Sequence, residues 1–381
     1  MKTSLLLTLL LLLPLAAGAQ TYTYSTLVDL PSASSQGPVN PNGITIVDDQ
    51  GNLYATSEGG GTYCAPNGCG TVFEVSPTGV ISVLHNFSGP DGSSPRSGVT
   101  RDAAGNLYGT TYTGGADVYY GTLYKLAPDG TETVLYSFPN KPPYGNYPNA
   151  LLTLDGKGNL FVYTSFTDNN FVTNDGSIFK LTHPDTFSIR YNFGEWGGGG
   201  PNGTGPVGSL IKDKAGNFYG ATCCGGSRGN GTVFKLTPSG SMTVLYSFNI
   251  FSDKIWGPMG SLVRDASGNL YGVGFNGIYE ILANGGERPF YLDTAGVHLN
   301  ATITIDSAGN LYGTNQRGGT YGVGAVYKIS PQGVETDLYS TPDVSLGDGV
   351  IFDQAGNLYG TTWHGGANGT GSIYKLTKSA E

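Results

Sequence analysis

The stretch DAAGNLYGTTYTGG, Asp102 to Gly115, is one of several near-copies within a single chain. DDQGNLYATSEGG precedes it at Asp48–Gly60, DKAGNFYGATCCGG follows at Asp213–Gly226, and DQAGNLYGTTWHGG ends the series at Asp353–Gly366. Its Gly-Asn pair recurs with asparagines at 52, 106, 159, 217, 269, 310 and 357, seven copies at steps of 41 to 58 residues. A period of that size marks a repeat architecture. Each copy holds four short runs, which in the second are SGVTR, NLYGTT, GTLYKLAP and ETVLYSF. They are rich in β-branched and aromatic residues in near alternation and carry no helical period, so they predict strands. The joints are turn chemistry: DAAGN offers an Asp side chain to backbone amides and a Gly for a left-handed position, and PDG repeats the device.

Both sides of these strands are apolar. In TVLYSF the alternation puts Val134, Tyr136 and Phe138 on one side and Leu135 on the other. A sheet that buries both faces needs a neighbour on each, and four-stranded sheets packed radially provide it. The chain ends test this reading. The seventh copy stops after GSIYKLT with no fourth run, while TYSTLVDLP near the start aligns with TVLYSFPN through Ser25–Thr133, Leu27–Leu135, Leu30–Phe138 and Pro31–Pro139. Pairing the orphan with the incomplete copy closes the ring and removes an open sheet edge. The expected fold is therefore an all-β, seven-bladed β-propeller of four-stranded blades, closed by an N-terminal strand that completes the last blade, with residues 20–381 as one domain.

The phrase GNLYGTT-x-GG-x-GTVFKLTP-x-G-x-TVLYSF resembles the GloVer tandem repeat of exported choice-of-anchor bacterial proteins. The resemblance extends over the chain beyond its leader, is close in copies 2, 4, 6 and 7, looser in copy 3 (GNLFVYTSF) and degraded in copy 5, where GVGFNGIYEI has lost most of a loop. It implies a β-propeller and an exported protein, and no reaction. Members of this kind often carry a sorting anchor; none is evident in this sequence.

Lys2 precedes the apolar run LLLTLLLLLPLAA, and Ala17-Gly18-Ala19 offers a small-x-small cleavage site. Residues 1–19 read as a secretory signal peptide, too short for a membrane span. With no other apolar segment of spanning length, a secreted protein, extracellular or periplasmic, is expected, without a membrane span and as a monomer. The net charge is −9 and there is no basic run, which argues against nucleic acid and anionic membranes. Four cysteines suit an oxidising compartment. Cys64 and Cys69 enclose the turn-forming APNG and are expected to form a disulfide, since further metal ligands are not evident nearby. Cys223 and Cys224 are adjacent, leaving a strained vicinal bridge or a reduced pair.

Function is less legible. In such a blade the first-to-second and third-to-fourth turns share one face, here monotonous (DDQGN, DAAGN, DKAGN, DASGN; SPTG, APDG, TPSG). The other face carries loops that differ in every copy, from EGGGTYCAPNGCG to HGGANGTG, and connections such as GEWGGGGPNGTGPVG. Binding residues concentrate on loops held by a rigid scaffold. Trp196, Trp256 and Trp363 all fall there, and Trp supplies large contact area in binding sites. Glu58, Tyr112, Phe166, Cys223, Phe275, Gln316 and Trp363 occupy equivalent positions after the second strand, with Thr113, Cys224, Arg317 and His364 next. The expected ligand surface is Trp363, His364, Tyr112, Arg317 and Glu58, rimmed by Trp196 and Trp256, and suited to a glycan or peptide by stacking and hydrogen bonding. The competing reading makes these ordinary loop residues around a wet channel.

No catalytic residue, cofactor or metal ligand stands out. His85 falls in a fourth strand, His183 at a monotonous turn and His298 beside a first strand; only His364 is well placed. The motifs G-x-S-x-G, H-E-x-x-H and the EF-type loop are absent, and the D-x-x-G-N turns read as structural rather than metal-binding. Three functions stay open: a binding or scaffold propeller, a propeller hydrolase or lyase with its site at the channel mouth, and a structural surface component. The first runs, GITIV, LLTL, SLIK, SLVR and TITI, promise an apolar channel, whereas an enzyme of that kind gathers carboxylates or amides there.

Overall fold

The computed structural model describes residues 21–379 apart from 33–35, 65, 118, 140–147, 149, 165–175, 183–185 and 194–199. The leader, Phe166, His183 and Trp196 lie outside the described residues. Seven antiparallel four-stranded sheets follow one another along the chain. Blade 1 comprises Pro38–Val47, Leu53–Gly60, Thr71–Val75 and Ile81–Asn86, and blade 4 comprises Thr204–Lys212, Phe218–Cys224, Thr232–Leu236 and Met242–Ser247. Six blades are continuous in sequence. The last has Ile351–Phe352, Leu358–Thr362 and Ser372–Lys378, and its outer strand is Tyr22–Asp29 from the other end of the chain. Among the described residues there is no helix.

Closure follows the register the sequence predicts. Ser25 pairs with Lys375 as Thr133 pairs with Lys125 in blade 2. Leu30 is fully buried, and its N–H donates to the Gly371 carbonyl at 3.0 Å, as Phe138 N–H does to Gly121. The Asn368 amide and the Thr370 hydroxyl lock the Leu30 carbonyl at 2.8 and 3.0 Å.

The core is divided into layers between blades. Leu53, Ala55 and Phe73 of blade 1 pack with Leu30, Tyr359 and Ile373 of blade 7, while Tyr54, Val72 and Phe87 pack with Val99, Leu107 and Tyr124 of blade 2. Alternate residues of one strand thus serve opposite layers, as the two-sided apolar pattern requires. One detail corrects the sequence reading. Every third-to-fourth strand pair contains a register shift, between Leu123 and Tyr124 in blade 2. Val134 faces Tyr124 while Tyr136 faces Leu123, so those two lie on opposite sides, not on the same one. The extra residue, Leu135, absorbs the slip and increases the strand's twist.

A second device is the strand-two glycine. In blades 2, 5, 6 and 7, Gly109, Gly272, Gly313 and Gly360 pair with Tyr124, Tyr279, Tyr327 and Tyr374, and a Cβ at any of them would overlap the phenol. Where the third strand carries Phe instead, the partner can be larger: Ala55 with Phe73 and Val162 with Phe179.

Candidate functional site

The monotonous face is built from carboxylates whose lone pairs are committed. In all seven D-x-x-G-N turns, the backbone N–H of Asn donates to the Asp Oδ1 at 2.8–2.9 Å, and the Asn side chain donates to Oδ2 at 2.6–3.1 Å. In six turns a Tyr hydroxyl adds a bond to Oδ2 at 3.0–3.3 Å; copy 3, with Phe161, lacks it. Burial alone would raise the Asp102, Asp155, Asp213 and Asp353 carboxyls, but these hydrogen bonds outweigh it and hold them below the usual range. A cleft of about 450 Å³ beside Asp102 lies between blades 2 and 3 on this face.

On the opposite side, a cleft of about 520 Å³ lies at the meeting of blades 6 and 7. Trp363, His364 and Gln316 line it, with Asn300, Ser345 and Asp348 beneath. The Trp363 ring is 45% exposed, and its backbone N–H donates to the Ser345 carbonyl at 3.2 Å. Trp363 and His364 meet edge to face, 6.2 Å between centroids. Gln316 donates to the Asn300 side-chain oxygen at 2.9 Å, and Asn300 in turn donates to Thr314 at 2.7 Å, so the floor of the cleft is a held amide chain.

The other expected residues divide into separate groups. Arg317, next to Gln316 in the chain, turns to His298, 3.2 Å away. Glu58 and Tyr112 belong to a different cluster joined by Arg96, a residue the sequence reading passed over. The Arg96 guanidinium pairs with Glu58 at 2.8 Å and stacks over the Tyr112 ring at 3.8 Å. Arg96 sits in the connection SGPDGSSPRSG, where its charge amid Gly and Ser was the available signal. Trp256 is exposed at the blade 4–5 connection; its backbone N–H donates to the Asn276 side-chain oxygen at 3.0 Å, and its carbonyl accepts from Phe275 N–H at 2.9 Å. The single ring of site residues expected from sequence is therefore three groups.

Between them runs the central passage, about 240 Å³, to which every blade contributes. The lining is mixed: Ala150, Leu151, Val350 and Ile351 give it the expected apolar surface, and Thr45, Ser97, Ser209, Ser261, Thr302 and Asp348 add polar groups. The hydroxyls face the seams because they bond the neighbouring blade's inner segment, as Thr45 does to the Val99 carbonyl at 2.9 Å and Ser261 does to the N–H of Ser209 at 2.9 Å. Asp348 accepts from Thr302 N–H and hydroxyl at 3.0 and 2.8 Å. It lies deep in the passage with its side chain open to the lumen. Desolvation at that depth raises its carboxyl, against the Thr302 bonds.

Cys64 and Cys69 form a disulfide, Cα–Cα 5.3 Å, in the first blade's long loop. The Cys223 and Cys224 sulfurs lie 2.8 Å apart, with the Cys223 thiol 3.9 Å from the Thr204 carbonyl. No helix among the described residues is long and apolar enough to cross a membrane.

The repeated phrase, the seven blades and the borrowed strand together place the sequence. Its residues 16–205 match the Gloeobacter/Verrucomicrobia repeat. The chain belongs to that repeat family. Among curated proteins, none matches this repeat protein. Solved structures of similar fold include a gluconolactonase from Xanthomonas campestris, 13% identical with a TM-score of 0.50 over 94% of this chain and 90% of that one. They also include PorZ, a surface component of the type-IX secretion system of Porphyromonas gingivalis, 14% identical with a TM-score of 0.53 over 90% of this chain and 47% of that one. At these identities the likeness concerns the propeller fold alone.

Proposed function

We propose that this repeat protein is an exported binding propeller that takes a neutral glycan on its variable face, at the blade 6–7 cleft. The leader-like residues 1–19, the disulfide and the repeat family support export. The observation that carries the binding reading is the distribution of exposed aromatics. Tyr63, Tyr119, Phe251, Trp256, Phe275, Tyr321 and Trp363, all the largely exposed aromatic rings among the described residues, lie in second-to-third loops or blade connections. Trp363 gives the cleft a stacking surface, Asn300, Gln316 and Ser345 give it uncharged donors and acceptors, and His364 and Asp348 add an imidazole and a carboxylate. That mixture suits sugar hydroxyls, and the acidic chain disfavours polyanions. An extended peptide is the second reading, favoured by the amide chain on the cleft floor. A hydrolase or lyase draws less support, because Asp348 is the one carboxylate among the described residues lining the passage.

Glycan and peptide arrays probed with wild type and Trp363→Ala test this. Loss of the ring is expected to weaken binding by about 2 kcal/mol, roughly 30-fold, with little change in thermal stability. Equal binding by both proteins, or a ligand mapped to the Asp-turn face, would refute the assignment.

A further inference from the structure

Several seams between outer strands make contact through one pair of positions. The strand-four residue opposite Leu126 in blade 2, Glu132, meets the residue of the preceding blade that lies opposite Val72, His85. At the same seats in other seams, Tyr136 stacks on Phe187 at 3.7 Å and Tyr339 on Tyr24 at 3.9 Å. The Tyr291 hydroxyl donates to Glu335. Five of the other six blades place a tyrosine where blade 1 has His85: Tyr136, Tyr191, Tyr246, Tyr291 and Tyr339. The phrase LYSF has become LHNF at this one point.

The change is accompanied by a third group. Asp91, from the connection between blades 1 and 2, brings Oδ2 to 3.0 Å from His85 Nε2. Its Oδ1 accepts from Ser88 N–H and hydroxyl at 2.8 and 2.9 Å, which fixes the carboxylate, and Phe87 packs edge-on against the imidazole. Glu132 completes the set: one ligand atom from each residue lies within 4.8 Å of the others. The buried Glu132 Oε1 has no hydrogen-bond partner among the described residues, a state it shares with Glu287 Oε1, but only Glu132 has an imidazole and a second carboxylate beside it. An imidazole and two carboxylates from three separate segments thus converge on one point of the seam.

We propose that His85, Asp91 and Glu132 form a divalent-cation site of the zinc class that clamps blades 1 and 2 at the outer wall. One imidazole and two carboxylates match the donors zinc takes, at about 2.0–2.2 Å, and the imidazole disfavours calcium and magnesium. A contraction of the three side chains by an ångström or two reaches those distances. The site is separate from the variable-face cleft, and its test does not depend on a ligand there.

Tag-free, chelator-treated protein carrying Cys223→Ser and Cys224→Ser, so that thiols do not compete, is titrated with Co²⁺ and with Zn²⁺. The expected result is one equivalent of Co²⁺ with visible d–d absorption, displacement by Zn²⁺, and a zinc-dependent rise in melting temperature. His85→Tyr restores the residue of the neighbouring seams and is expected to fold with a cooperative transition while losing the absorption and the zinc effect. Glu132→Gln should lose at least about tenfold in affinity. His85→Asn, read by the same absorption, serves if the tyrosine variant does not fold. No saturable binding by the starting protein, or undiminished binding by a folded His85 variant, would overturn the site.

Discussion

The two faces of the ring are made from the same repeat and treat their polar groups in opposite ways. On the Asp-turn face, each of the seven aspartates receives donors on both oxygens, and the turns are near-copies. On the other face, loops differ in length, aromatic rings stand in water and Phe251 is 96% exposed. A saturated turn has nothing left to offer a ligand, while an exposed ring on a held loop does. Repetition in this chain therefore marks the parts that serve the fold, and departure from it marks the places where chemistry can differ. His85, seated where five other blades carry tyrosine, is the same lesson on the outer wall.

The strongest way to break the distinction is to attack a shared element. Removal of Thr21 to Pro31 takes away the outer strand of blade 7, and with it buried Leu30 and the ladder from Tyr22–Lys378 to Asp29–Ser372. The exposed Ser372–Lys378 edge is then open to pairing with other chains. The loss is expected to rival the whole stability of about 5–15 kcal/mol of a folded domain, giving aggregation or no cooperative melting transition. Calorimetry showing an unchanged transition would mean that the borrowed strand does not close the ring.

How far the sequence carried is clear from particular residues. The seven asparagines gave the blade count, and the alignment of Leu30 with Phe138 holds in space, since both are buried and donate to the equivalent glycine carbonyls, Gly371 and Gly121. The site was less legible because its contacts cross seams. Arg96 joins Glu58 to Tyr112 from a connection outside the repeated phrase, and the hydroxyls of GITIV and SLVR turn inward because the neighbouring blades' inner segments need their bonds. A strand read alone shows alternation; it does not show which neighbour each side meets. The bulge at Leu135 defeated even that alternation, since one extra residue exchanges the sides of all that follow.

A smaller effect sharpens the rule that repetition serves packing. Gly360 makes room for the phenol of Tyr374, which is fully buried. Gly360→Ala should cost about 1–3 kcal/mol through overpacking. Adding Tyr374→Phe should recover most of that loss, because blades 1 and 3 already hold Ala55 with Phe73 and Val162 with Phe179. A double-mutant cycle by denaturant unfolding measures the coupling. Strictly additive losses would show that the glycine serves some purpose other than the ring above it.

The smallest expected effect tests the saturated face itself. The folded Asp102 and Asp353 carboxyls sit below their usual range: burial raises them, and bonds from Asn106 and Tyr108, or Asn357 and Tyr359, overcome it. A depressed folded value means the unfolded chain binds protons first as pH falls. The stabilising share is thus fully present above the unfolded value near 4 and is lost as pH drops through the folded value. Asp102→Asn keeps one acceptor oxygen and removes the charge, so it should cost about 1 kcal/mol at pH 7, the low end for charge-assisted bonds because the turn is partly solvated. The same variant should lose less stability than wild type between pH 5 and 2, so the gap between the two narrows in acid. Asp348 acts in the reverse sense, since desolvation raises it, and its share is present in acid and lost as pH rises. Asp348→Asn should therefore move the acid limb the other way from Asp102→Asn, and denaturant curves for both at pH 7 and pH 3 decide the matter. Parallel pH profiles for the two variants would mean that the contrast between the saturated turns and the channel does not lie in how their carboxylates are held.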